Sequence, residues 1–133
     1  MKDKVNELGL SDKFEIASCA TSREELGNDV YPPAKAKLAE HGISCKGKTA
    51  RQMTKEDYDT YDYIIAMDGY NLRNMKPFVA DDLEEKVSLL MDYTDHPGDV
   101  ADPWYTGDFE RTWQDVNAGC DGLIKELKKR GKI

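Results

Sequence analysis

The chain has 133 residues, enough for one domain, with 39% hydrophobic and 34% charged residues and a formal net charge of −7. An evenly acidic surface repels nucleic-acid phosphates and anionic membranes, so neither is an expected partner. No apolar run approaches the roughly 20 residues a spanning helix needs, and the opening MKDKVNELGL has no signal-peptide core, so the expected location is the cytoplasm.

The first predicted element is a helix from Met1 to about Leu8, with Val5 and Leu8 on one face and Gly9 as its stop. Phe14 to Ser18 reads as a strand and Cys19 to Asn28 as a loop. Pro32 and Pro33 open a helix running to His41, with Gly42 past its end. Thr54 and Asp57 are spaced as an N-cap and its N3 partner, opening a short helix. Tyr63 to Met67, YIIAM, is a continuous apolar run that suits a parallel strand buried on both faces. Asp68 follows at its C-terminal end, where open α/β sheets hold their ligands.

Asn71 to about Val79 is a predicted helix and Val87 to Leu90 a strand. Asp92 to Asp108 is a long polar loop carrying Pro97 and Pro103, a kind of segment that is usually functional. Glu110 to Lys129 closes the chain as an amphipathic helix with basic residues in its last turns. The alternation predicts an α/β fold with a parallel sheet flanked by helices. FEIAS and VSLL are the candidate neighbours of YIIAM, which makes a small sheet. The chain opens in a helix, where a βαβ unit opens in a strand.

Three cysteines, Cys19, Cys45 and Cys120, are widely spaced and odd in number. They match no zinc pattern, so reduced thiols and no metal are expected. Two short motifs overlap at one of them. GISCKGKT, residues 42–49, matches a nucleotide phosphate loop, but a helix feeds it where a strand should, and the next helix cap comes only at Thr54. Cys45 to Arg51 matches C-x5-R, in which five residues curl N–H groups around a phosphate and the arginine grips it. Gln52 follows, not the serine or threonine that would support a thiolate. The first stretch reads as a helix stop at Gly42 followed by a polar turn, the second as a coincidental surface cysteine.

Taken in order, SDKFEIASCATS, LGND, KLAEHGI, ARQMTKEDYDTYDYIIAMDGYNL and VADPWYTGDFE resemble the low-molecular-weight protein-tyrosine phosphatases over almost the whole chain. The resemblance implies a flavodoxin-like parallel sheet of four strands, with a nucleophilic cysteine in a C-x5-R-S loop directly after the first, central strand. On that reading Met1–Leu8 is the later half of the helix after the loop. Strand and loop are missing from this chain, roughly 20 residues in all, a typical strand length plus the loop and a helical turn or two. The chain then carries no nucleophile and is expected to be inactive, whereas a full-length form would hydrolyse phosphotyrosine or small aryl phosphates through a cysteinyl-phosphate, without cofactor or metal.

The resemblance also implies site roles. Asp102 matches the general acid, which protonates the departing phenolate and then serves as base. Trp104 and Tyr105 match the aromatic walls of the substrate slot. Ser18 and Asp68 match residues supporting the phosphate loop, and Asn28 a structural turn. Glu24 stands where the family often has an aromatic lining the slot. Arg51 matches the arginine of an ARQ segment away from the catalytic one. Cys19 and Cys120 lack the paired spacing of an arsenate reductase on the same fold. A sheet lacking a strand leaves open ladder edges, so a homodimer or swapped oligomer is the rival expectation.

Overall fold

Val5 is the pin of the first helix, α1 (Lys2–Glu7), and is 2% exposed. Gly9 takes a φ of 71°. That left-handed turn lets the Leu10 N–H reach back to the Val5 carbonyl at 2.8 Å, closing the helix as expected. The computed structural model describes residues 1–133, the side chains of Trp104 and Tyr105 excepted.

Phe14–Ser18 departs from expectation. Phe14 is extended and alternates with Ile16 as half-buried, while Glu15, Ala17 and Ser18 are exposed. The period of a strand is present but the ladder is not. Among the described residues no backbone hydrogen bond engages residues 15–19. A strand exists only where a neighbour meets its N–H and C=O groups. The chain first finds one at Ala20, bridged to Gln52 through Ala20 N–H to Arg51 C=O and Met53 N–H to Ala20 C=O, both 2.8 Å. Leu26 bridges Ala50 and Asp29 bridges Thr49, so residues 49–52 form a spine for this end of the molecule.

Helix α2 (Pro32–Glu40) and helix α3 (Lys55–Thr60) bracket that spine. No helix begins at Lys48-Thr49, so GISCKGKT has no helix N-terminus to offer a phosphate. The α3 cap is the expected one, with Thr54 N–H donating to Asp57 Oδ2 at 2.8 Å. Asp57 also accepts two bonds from Arg51, at 3.0 and 3.1 Å. Those bonds hold its carboxyl below the ordinary aspartate range, against the opposing effect of burial and with help from the Thr54 N–H. A depressed folded value stabilises above the unfolded value and is lost as pH falls through the folded one. Asp57→Asn is therefore expected to cost about 1–2 kcal/mol at pH 7, at the low end because Arg51 is part-open to solvent. The difference should shrink below about pH 4. Urea unfolding at pH 7 and pH 3 measures both, and an equal loss at the two would exclude the charged pair as the cause.

Strand β1 (Ile64–Ala66) pairs in parallel with strand β2 (Val87–Leu89), Ile64 opposite Val87 and Ala66 opposite Leu89. Successive side chains point to opposite faces. Ile64 packs with Met53, Ala66, Met75 and Val79, whereas Ile65 packs with Leu90, Met91, Val100 and Cys120. Each face of the strand thus packs on its own cluster, but the expected full burial is only partial: Ala66 is buried, Tyr63, Ile64 and Ile65 are half-buried, and Met67 is exposed. The chain has an α/β fold, a parallel sheet flanked by helices.

The single helix expected from Asn71 to Val79 is two, α4 (Gly69–Asn74) and α5 (Lys76–Val79). Pro77 has no N–H for the Arg73 carbonyl, which breaks the run there. After β2 a 3-10 turn, Leu90–Tyr93, and a short helix, α6 (Pro103–Thr106), interrupt the predicted long loop. The last helix, α7 (Phe109–Lys129), lies across that 3-10 turn through two glycines, Gly119 and Gly122.

Candidate active site

Four hydrogen bonds fix the backbone just ahead of Asp102. Val100 N–H donates to the Met67 carbonyl at 2.9 Å. Gly69 N–H donates to Asp99 Oδ1 at 3.0 Å. Ala101 is held from α7, its N–H donating to Asp115 Oδ2 at 2.9 Å and its carbonyl accepting from Thr112 Oγ1 at 2.6 Å. The loop is therefore stitched to the C-terminal end of β1 on one side and to α7 on the other. Val100 is buried, and two residues later Asp102 is exposed. The Asp102 carbonyl accepts the Thr106 N–H at 3.1 Å, opening α6. Pro103 takes the first helical position, where a missing N–H costs nothing.

A carboxyl displayed past a buried anchor can exchange protons with a bound ligand, and the C-terminal end of a parallel strand is where such folds present one. Asp68 sits at the same end. Its Oδ1 accepts the Asn71 N–H at 2.8 Å, and Asn71 Oδ1 in turn accepts from Met67 and Asp68 N–H at 3.0 and 3.2 Å. Asp68 thus caps α4 and shapes the end of β1. Met1 packs against the cluster of Leu90, Met91, Val100 and Cys120, as Ile65 does. The side chains of Trp104 and Tyr105 lie outside those described.

Ser18 belongs to a second feature, an open cleft of about 220 Å³ lined by Ser18, Cys19, Asn28, Lys48 and Arg51 among others. Cys19 is exposed as a residue, but partial burial of its thiol pushes it up, with Arg51 and Lys48 pulling down and Asp57 adding to the rise. A raised thiol stays protonated at neutral pH and is a poor nucleophile. Cys45 opens a turn closed by Lys48 N–H to its carbonyl at 3.0 Å, while Arg51 is committed to Asp57. The C-x5-R stretch therefore forms no cradle. Cys120 is buried in α7. Asn28 ties its own turn, donating to Glu25 Oε2 at 2.7 Å and accepting the Ala50 N–H at 2.9 Å. Glu24 is exposed in that turn and is not among the lining residues of the cleft.

Asp99, Thr112 and Asp115 were not among the residues expected from sequence. The spacing of Thr112 and Asp115 puts both on one face of α7, but only the fold shows that Ala101 meets them.

The family model described as low molecular weight phosphotyrosine protein phosphatase matches residues 1–133. A low molecular weight protein-tyrosine-phosphatase of Bacillus subtilis, YfkJ, is 31% identical over 134 residues, covering 99% of this chain and 86% of the relative. A low molecular weight phosphotyrosine protein phosphatase of Sus scrofa is 35% identical over 129 residues, covering 93% of this chain and 81% of that one. The crystal structure of YfkJ superposes with a TM-score of 0.91 at 32% identity, over 97% of this chain and 82% of the other.

Proposed function

Because the chain belongs to the low molecular weight phosphotyrosine protein phosphatase family, we propose that Asp102 is the general acid of an aryl phosphate monoesterase, with phosphotyrosine in a protein or a small aryl phosphate as substrate. In that reaction the thiolate of a C-x5-R-S phosphate loop, a motif none of these 133 residues supplies, attacks phosphorus, the P–O(aryl) bond breaks, and the Asp102 carboxyl hands its proton to the leaving phenolate. The resulting carboxylate takes a proton from water, which attacks phosphorus, breaks the S–P bond and releases phosphate. The reaction uses no cofactor and no metal. Trp104 and Tyr105 wall the slot, Glu24 stands at its entrance, and Ser18 and Asp68 support the phosphate loop. The cytoplasm, where unpaired thiols are the rule, is the proposed location.

The observation that supports this reading is the Val100–Met67 bond, which ties the segment just ahead of Asp102 to the C-terminal end of β1. None of the three cysteines suits the nucleophile's role. Cys19 has Glu25 and no arginine six residues on, Cys45 sits in a turn whose arginine is taken, and Cys120 is buried. The 133 residues alone are therefore expected to turn over para-nitrophenyl phosphate no faster than buffer. Turnover that Cys45→Ser abolishes would overturn that expectation. An arsenate-reductase reading gains nothing from the fold, with Cys19 exposed and Cys120 buried.

A second reading rests on one observation. Phe14–Ser18 has strand periodicity without described ladder bonds, and β1 pairs with β2 alone among the described strands. Open edges template pairing with another chain, so the chain acts as a self-associating module, as a homodimer or a swapped oligomer. Light scattering after gel filtration should then give a mass above one chain, and a stable monomer at all concentrations would dismiss it.

A further inference from the structure

Away from Asp102, the end of α2 meets the first turn of α7. Glu40 is the last residue of α2, His41 caps it, and Glu110 is the second residue of α7. We propose that Glu40, His41 and Glu110 form a binding site for a zinc-class divalent cation that clasps α2 to α7. One carboxylate oxygen from each glutamate and one imidazole nitrogen lie within 4.8 Å of one another. The imidazole is held flat on the Trp113 indole, ring centroids 3.7 Å apart and planes 9° from parallel. Trp113 follows Glu110 by three residues, so one face of α7 supplies both a ligand and the platform that fixes the other. Stacking occupies the ring face and leaves the in-plane nitrogen lone pair available.

A positive charge already occupies this place. Lys37 Nζ lies 2.8 Å from Glu40 Oε2 and 2.9 Å from Glu110 Oε2. The two carboxylates are thus poised to share a cation, and the lysine is its competitor. An imidazole with two carboxylates is a nitrogen–oxygen set that suits zinc, copper or nickel better than magnesium or calcium. Zinc bonds of about 2.0–2.2 Å require the donors to close in by side-chain rotation. His41 stays stacked on Trp113, and the two exposed glutamates supply the rotation. Lys37 swings out to solvent, and water completes the shell. The site shares no residue with the acid loop and does not depend on the phosphatase reading.

The test is a calorimetric titration of the folded chain with zinc chloride, paired with copper(II) quenching of Trp113 fluorescence in a Trp104→Phe background. Saturable one-to-one binding is expected. His41→Gln and Glu110→Gln should each weaken it by about 10- to 100-fold, as losing a ligand or its orientation does. Lys37→Met should tighten it several-fold by removing the competing ammonium. Far-ultraviolet circular dichroism of each variant checks that the fold survives. The proposal is overturned if the parent chain shows no saturable zinc binding. Unchanged affinity in His41→Gln, or a Lys37→Met variant that binds no better than its parent, overturns it equally.

Discussion

Replacing Gly122 with alanine is expected to destabilise the chain by about 2–3 kcal/mol, the cost of forcing volume into a packed interior less what the helix gains. Alanine is preferred to glycine inside a helix by about 1 kcal/mol, so propensity alone predicts the opposite sign. What decides is the neighbour. A Cβ at Gly122 would lie 1.9 Å from the Tyr93 carbonyl oxygen and 2.8 Å from its carbon. These are backbone atoms that cannot rotate aside, so α7 and the Leu90–Tyr93 turn must part. Parting them opens the cluster of Leu90, Met91, Val100 and Cys120.

Gly119 offers the internal comparison. The three atoms nearest its Cβ would all belong to the Leu90 side chain, with Cγ at 2.4 Å. Leu90 can change rotamer, so Gly119→Ala should cost about half as much, in the range of an off-rotamer core side chain. Urea midpoints of both variants against the parent decide the matter. A Gly122→Ala chain as stable as its parent would mean that the turn slides freely along α7. The consequence reaches function, because α7 also carries Thr112 and Asp115, which hold Ala101 beside the acid.

Those two glycines show where the sequence stops being legible. In the amphipathic pattern of Glu110–Lys129 they look like neutral imperfections, because the turn they admit lies far away in the chain. Elements whose cause is local are readable. Val5 with Gly9, Thr54 with Asp57, and the apolar run YIIAM all announce themselves by spacing. The split at Met75 also has a local cause, Pro77, which the apolar pattern of 71–79 masks. Phe14–Ser18 marks the other boundary, since its alternation shows which side chains turn inward but ladder bonds need a neighbour that periodicity cannot name. The site divides in the same way. Asp102 is marked by the resemblance that DPWYTGDFE carries, whereas the bonds that position it at residues 99–101 arise only from tertiary packing.

The role of Asp102 makes its own prediction, to be read in a catalytically active form of the chain that carries a C-x5-R-S phosphate loop. If Asp102 protonates the leaving oxygen, Asp102→Asn removes general acid catalysis worth about 10²–10⁴-fold. The change keeps the side-chain shape and leaves the main-chain carbonyl that accepts from Thr106 intact. The loss must depend on the leaving group. Phenolate, the conjugate base of an acid with a pKa of about 10, departs poorly without a proton. Para-nitrophenolate is far more stable and needs the proton less. The fall in kcat should therefore be much steeper for phenyl phosphate than for para-nitrophenyl phosphate. Asp115→Ala, which releases the Ala101 N–H but leaves its carbonyl on Thr112, should give a smaller fall with the same ordering. Equal losses on both substrates would mean that the amide in place of the carboxyl merely disturbs the loop, and proton transfer would have to be sought elsewhere in the site.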